Sequence, residues 1–100
     1  MSLDHPLASA AARAFAEGFG AILRIAPDGL PAFDIDGRGE RCLIRAASEA
    51  RADCVWRANA ETLTRIFDGG RALESAYLSG RLKIAGDMSV MARLLLESPR

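Results

Sequence analysis

Side chains able to support catalysis are few in this sequence. His5 is the only histidine among 100 residues, and it stands close to the N-terminus. Nucleophilic catalysis by serine or cysteine needs a base within hydrogen-bonding reach of the nucleophile, and that base is most often histidine. With its one histidine outside the body of the predicted fold, the chain offers no such pair. We therefore expect a protein that is not an enzyme, and we predict no catalytic residue.

A pair of aspartates superficially suggests a calcium loop. Asp34 and Asp36 alternate before a glycine, but the fifth and twelfth loop positions would then be Arg38 and Arg45. A calcium loop places oxygen ligands at both positions, with a carboxylate at the twelfth. Alternation on a strand explains the aspartates better. The glycines at 37 and 39 lack the third glycine and the following helix of a dinucleotide site.

The two cysteines also give no metal or redox motif. Cys42 and Cys54 are too far apart for a C-x-x-C pair, and no histidine cluster accompanies them. Each lies in a segment with a strand pattern, on the face expected to be buried. We interpret them as reduced core cysteines. The sequence thus predicts no metal ligands and no cofactor.

Composition narrows the class of protein further. Half of the residues are hydrophobic and the formal net charge is zero, which argues against a disordered chain and against a nucleic-acid partner. No apolar run approaches the roughly 20 residues needed to span a bilayer. Residues 7–16 include Arg13 and lack the apolar core of a secretion signal. The chain ends in Ser98-Pro99-Arg100, which is not a peroxisomal address, so we expect a cytoplasmic protein.

In the first half, the spacing of apolar residues predicts one helix followed by four strands. Leu7, Ala11, Phe15 and Phe19 recur at helical spacing over residues 7–19. Segments 21–26, 32–36, 41–47 and 52–57 are predicted to be strands between turn-forming residues, and Phe33 and Ile35 alternate with Asp34 and Asp36 in the second of them. The charged side chains of these strands can pair across a solvated sheet face. The apolar face must then be covered by helices.

The second half is predicted to hold three helices and one more strand. Asn59 is placed to cap a helix that ends at the glycines 69–70, and another helix covers residues 71–78. Leu82 and Ile84 alternate with basic residues in a short strand between two glycines. Asp87 is placed to cap a last helix. The apolar side of that helix carries Met88, Met91, Leu94 and Leu95.

Residues 76–87 resemble the signature of the sterol carrier protein 2 (SCP-2) family of small lipid-binding domains. The family pattern is A-[FY]-[LM]-x-G-[RK]-[LIV]-x-[LIV]-x-G-[DN], and this chain has A-Y-L-S-G-R-L-K-I-A-G-D. The order of predicted elements also matches over nearly the whole chain. The resemblance implies a single α+β domain over residues 1–100. It would have a five-stranded mixed sheet, covered on one face by about four helices, with an apolar tunnel between the layers.

The resemblance further implies a lipid-binding or carrier function. The ligand would be a sterol, fatty acyl chain, phospholipid or isoprenoid, and some bacterial relatives assist quinone biosynthesis, which adds prenylated quinone precursors. We expect the last helix to act as a lid, because it is terminal and amphipathic. The candidate ligand-binding residues are Phe15, Phe33, Trp56, Phe67, Tyr77, Leu78, Met88, Met91, Leu94 and Leu95.

The cost of an empty cavity and an alternative use of the apolar surface both bear on the expected lipid-binding function. An unfilled apolar cavity of about 300 Å³ would cost roughly 7 kcal/mol, which approaches the about 5–15 kcal/mol stability of a whole domain. A bound amphiphile should therefore stabilise the fold markedly. Alternatively, the same apolar surface would meet a partner protein or a second copy of the chain, as a homodimer, with no lipid ligand.

Overall fold

The structure is a computed structural model that describes residues 5, 7–48, 51–68 and 71–94. In chain order its elements are α1 Ala8–Ala14, β1 Ile22–Pro27, β2 Phe33–Asp36, β3 Leu43–Ala46, β4 Cys54–Ala58, α2 Ala60–Asp68, α3 Arg71–Leu78, β5 Lys83–Gly86 and α4 Ser89–Arg93. The strands form one sheet in the order β3-β2-β1-β4-β5, with β1 parallel to β4 and the other neighbours antiparallel. The predicted α+β fold, with a five-stranded mixed sheet and four helices, is confirmed.

The core lies between the inner face of this sheet and the helices. Phe33, Ile25, Trp56 and Ile84 are cross-strand partners on four adjacent strands, so their side chains form one row. The first three are fully buried, whereas Ile84 on the edge strand β5 is half-buried. The helices contribute Ala11, Ala14, Leu63, Ile66, Phe67 and Ala76 to the same core. The row is therefore closed at its centre and open at its β5 end.

The first helix is shorter than the predicted span of residues 7–19. It ends at Ala14, and the following segment runs along the sheet, where the Phe19 N–H donates to the carbonyl of Gly37 at 2.8 Å. Gly18 approaches the backbone so closely that a Cβ placed on it would lie 1.8 Å from the Gly39 carbonyl oxygen. Helical spacing of Phe15 and Phe19 suggested one continuous helix, but both are buried because the loop folds back over the core.

The second helix begins as predicted. The Asn59 side-chain oxygen accepts a hydrogen bond from the Thr62 N–H at 2.8 Å, which satisfies one of the free donors at the start of α2. The predicted helix end at residues 69–70 lies outside the described residues. The candidate ligand contact Leu95 lies outside them as well.

The outer face of the sheet is less solvated than the charge pattern suggested. Asp34 and Asp36 are only 2% and 7% exposed. Arg24 holds Asp34 through Nε at 2.8 Å, and Asp36 accepts from Arg38 and Arg45, both at 2.7 Å. The pairing of opposite charges across the strands is thus confirmed. The expected solvation is wrong for these carboxylates, because arginine side chains lie over them.

We expect Asp36→Asn to destabilise the fold in a pH-dependent way. The Arg38 guanidinium and N–H, with help from Arg45, hold the pKa of Asp36 well below its usual range despite its burial. A lowered folded-state pKa contributes stability above the unfolded value near 4, and this contribution is lost as the pH falls. At pH 7 the variant should lose about 1–2 kcal/mol of unfolding free energy.

Urea denaturation at pH values from 7 to 3 measures this effect. The difference in unfolding free energy between wild type and Asp36→Asn should become smaller as the pH falls below about 4. The control is Asp28→Asn, which changes an exposed carboxylate in the turn after β1. If this difference in unfolding free energy is the same at pH 7 and pH 3, the ion pairs do not stabilise the fold.

The two glycines of the SCP-2-like signature have separate structural causes. Gly80 has a φ of +81° and ends α3, since its N–H donates to the Tyr77 carbonyl and the next N–H donates to that of Ala76. Gly86 has a φ of +98°, and a Cβ there would lie 2.6 Å from the Asp53 carbonyl oxygen. Gly86 is thus required both by its backbone angle and by close contact with the neighbouring strand.

Alanine substitutions separate these two causes. Gly80→Ala introduces only the left-handed backbone strain, since nothing lies within 4 Å of the added Cβ, and should cost about 1 kcal/mol. Gly86→Ala adds a clash with the backbone of β4 and should cost at least about 2 kcal/mol. Chemical denaturation of both variants provides the comparison. Equal losses would contradict the close-packing argument for Gly86.

Candidate functional site

An apolar cleft of about 320 Å³ opens at the β5 edge of the sheet, between α3, β5 and the start of α4. Its lining residues are Leu73, Glu74, Tyr77, Ile84, Met88 and Met91. Five of these six side chains are aliphatic, aromatic or thioether groups. The cleft lies where the inner row of large side chains, Phe33 to Ile84, reaches the edge of the sheet.

Each element presents its lining residues through its own periodicity. Leu73 and Tyr77 are four residues apart in α3, so they lie on one side of that helix. Ile84 faces inward from β5, in register with the buried Trp56. Met88 and Met91 are three residues apart around the first turn of α4. The cleft therefore has a floor from β5 and two walls from helices.

The start of α4 is fixed by Asp87, as the sequence predicted. Its Oδ1 accepts from the Ser89 N–H at 2.9 Å and from the Ser89 hydroxyl at 2.6 Å. These two donors lower the pKa of the Asp87 carboxyl from its ordinary value. The Asp87 N–H in turn donates to the Asp53 carbonyl at 2.8 Å, which ties the helix start to the segment before β4.

Two side chains attach α4 to the core. Val90 is fully buried, although the predicted apolar side of this helix did not include it. The Trp56 indole N–H donates to the Met91 sulfur at 3.2 Å. Met91 therefore contacts both the core tryptophan and the cleft, and a movement of α4 would disturb the buried ring.

Four of the predicted ligand contacts are in the closed part of the core. Phe15, Phe33, Trp56 and Phe67 are each at most 3% exposed. The ring of Phe15 packs edge-on against Trp56 and Phe67, with ring centroids 5.8 Å apart in both pairs. These aromatic rings contact one another in the layer where the resemblance suggested a tunnel. Their role as ligand contacts stays a prediction.

Of the other predicted contacts among the described residues, three line the cleft and two do not. Tyr77, Met88 and Met91 line it directly. Leu78 is 74% exposed and is not among the lining residues, whereas Leu94 is half-buried against the core.

Sequence reasoning did not select three of the lining residues. Leu73 and Ile84 could have been selected, because both belong to the apolar patterns that predict the helix and the strand. Glu74 stands one turn before Tyr77 in the predicted helix, but a charged residue gives no apolar pattern that would indicate a place in an apolar site.

The chemically reactive side chains have structural roles. The expectation that His5 lies outside the body of the fold is wrong: it is buried, with Nδ1 accepting from the Leu7 N–H at 3.1 Å and Nε2 donating to the Pro31 carbonyl at 2.8 Å. The Cys42 thiol borders a polar concavity of about 690 Å³ and donates to the Glu17 carbonyl at 3.1 Å. Burial raises the pKa of the Cys42 and Cys54 thiols, which leaves them weak nucleophiles.

In the part of the chain that the structure describes, no group of three or more His, Cys, Asp or Glu side chains is placed to hold a metal ion. None of the helices described is both long enough and apolar enough to cross a membrane.

We expect the buried Val90, rather than the exposed Met88, to hold α4 in place. Val90→Ala removes two fully buried methyl groups and should lower the free energy of unfolding by about 1.5–3 kcal/mol. Met88→Ala, at a side chain that is 45% exposed, should cost less than about 1 kcal/mol. Urea denaturation followed by Trp56 fluorescence measures both. An equal loss in the two variants would contradict this assignment.

Solved structures with similar folds cover most of this chain. One is described as a UbiJ-SCP2 ubiquinone synthesis protein, with a TM-score of 0.61 and 24% identity over 90% of this chain and 72% of its own. Another is the sterol carrier protein domain 2 of Helicoverpa armigera, with a TM-score of 0.62 and 16% identity over 75% of this chain and 63% of its own. At these identities the likeness shows the fold alone.

A similar unit also occurs inside an enzyme. The stereoselective inverting sec-alkylsulfatase Pisa1 from Pseudomonas sp. matches with a TM-score of 0.68 and 23% identity, over 90% of this chain but only 15% of the sulfatase. No curated protein has a matching sequence.

The family comparison covers almost the whole sequence. The model of the SCP-2 sterol transfer family matches residues 3–95, which include every described element of the sheet and of the cleft. The signature glycines at positions 80 and 86 have the backbone angles that only glycine adopts readily. The chain belongs to the SCP-2 sterol transfer family.

Proposed function

We propose that this chain is a single lipid-binding or carrier domain that holds the apolar part of its ligand in the cleft between α3, β5 and α4. The observation that carries the proposal is the cleft itself. Tyr77 and Met88 are 47% and 45% exposed beside the core, although each is large enough to gain from burial. An apolar ligand would remove this surface from water at about 25 cal/mol per Å².

The volume of the cleft limits what it can enclose. A space of about 320 Å³ corresponds to roughly ten water molecules in the liquid, and so to roughly ten heavy atoms of a ligand. This is enough for a segment of a single alkyl or isoprenoid chain. A complete sterol would extend beyond it. We infer that a flexible chain is the part of the ligand that enters the cleft first.

Binding of this kind needs no covalent chemistry. Each buried methylene contributes about 0.8 kcal/mol, so a short chain segment supplies substantial binding free energy before ordering costs are subtracted. The Tyr77 side chain lines the cleft and is 47% exposed, so its hydroxyl can contact a polar head group. Selectivity among chains of similar length would then be modest.

We propose that the α4 wall adapts mainly through its methionine side chains. Met88 and Met91 have flexible thioether chains that fit irregular ligands. Swinging the whole helix as a lid would expose Val90, at a cost of about 1.5–3 kcal/mol, and would break the Trp56–Met91 hydrogen bond. We therefore propose that α4 moves only slightly when a ligand binds, and does not swing open as a lid.

We expect Met88→Asp to weaken ligand binding by at least about tenfold, because a carboxylate at the cleft must lose water when a chain enters. The matched control is Leu43→Asp, which places the same charge at a side chain 64% exposed on β3, the opposite edge strand. The ligand is 1-decanol, whose chain suits the volume of the cleft. Isothermal calorimetry and Trp56 fluorescence report binding, since Trp56 contacts Met91.

The wild-type protein and the control should bind 1-decanol equally, with a rise in Tm as the alcohol is added. If Met88→Asp binds 1-decanol as tightly as the wild-type protein, the binding site is not in this cleft. If no variant binds the alcohol and the mass in solution is twice that of one chain, the same apolar residues serve a homodimer instead.

A further inference from the structure

We infer that the cleft selects its amphiphile by head group, through the carboxylate of Glu74, and prefers cationic or hydroxyl heads to free carboxylates. This inference rests on the proposed function. Glu74 carries the one carboxyl group among the six lining residues, and it is exposed in α3 one turn before Tyr77. A chain lying on Met88, Met91 and Ile84 would thus meet a negative charge where it leaves the protein.

The described cations near the cleft are directed elsewhere. Arg81 donates to the hydroxyls of Ser79 at 2.9 Å and Ser75 at 3.3 Å, beside a separate cavity. Arg93 carries its guanidinium to Gly20, where a Cβ would lie 3.3 Å from Nη1.

Lys83 precedes Ile84 in β5 and so points to the outer face of the sheet. It stands there in register with Arg57 of the neighbouring strand. The charged side chains described near the cleft therefore give it a negative electrostatic potential, which comes from Glu74.

Elementary electrostatics sets the size of the preference. Opposite unit charges about 4 Å apart in water-like surroundings attract enough to change an equilibrium constant roughly fivefold, and like charges repel equally. An ammonium head should therefore bind roughly ten- to thirtyfold more tightly than a carboxylate on the same chain at low salt. A hydroxyl head, which can donate to Glu74, should fall between them. The preference should shrink as salt is added.

The test compares three ten-carbon amphiphiles below their micelle concentrations: decylamine, 1-decanol and decanoate. Dissociation constants are measured at neutral pH by calorimetry for wild type, Glu74→Gln and Glu40→Gln. Glu74→Gln keeps the shape of the side chain and removes its charge. Glu40→Gln makes the same change at an exposed residue that borders the separate polar concavity. All measurements are made well below the Tm of each variant.

We expect the ratio of decanoate to decylamine dissociation constants to fall to about one or two in Glu74→Gln and to stay at the wild-type value in Glu40→Gln. Affinity for 1-decanol should change less than threefold. An equal ratio in wild type and Glu74→Gln, with 1-decanol still bound, would overturn the role of Glu74 and leave the proposed function intact. Failure of wild type to bind 1-decanol would overturn both.

Discussion

The buried indole of Trp56 is the constraint on which the core and the cleft both depend. Its ring lies at the centre of the inner sheet face, between Ile25 on the parallel neighbour and Ile84 on the antiparallel one. An indole N–H buried without an acceptor costs about 1–3 kcal/mol. The Met91 sulfur is that acceptor, so the position of α4 follows from the position of the tryptophan. One side chain thus links the packed interior to the cleft wall.

The cleft exists because the helices cover the edge strand β5 incompletely. Phe33, Ile25 and Trp56 are each covered completely, whereas Ile84 belongs to β5, an edge strand of the sheet formed by the described residues. α4 is only five residues long and covers this end of the row incompletely. The ligand space that we propose is therefore an edge feature of the fold. The centre of the layer is filled by aromatic rings that touch one another.

Most of the fold could be predicted from local patterns, and the deviations came from contacts between distant segments. The pattern of apolar and polar residues between turns predicted the strands. Asn59 and Asp87 predicted the starts of two helices, which their side chains cap through short-range hydrogen bonds. The early end of α1 depends on Gly18 meeting the backbone of residue 39, which no local pattern contains. The site was predicted in part: Tyr77, Met88 and Met91 line the cleft. Glu74 could not be predicted in this way, because a charged residue is not part of any apolar stripe.

An open cleft also changes the energetics of ligand binding from those expected of a closed tunnel. A sealed apolar void loses dispersion contacts on every side and would cost several kcal/mol in the free protein. A cleft at the surface admits water, so the free protein loses less stability, at the expense of exposed apolar area around Met88 and Tyr77. Ligand binding then gains from releasing that water and burying that area. The domain can thus remain folded when empty and still gain stability from an amphiphile by mass action.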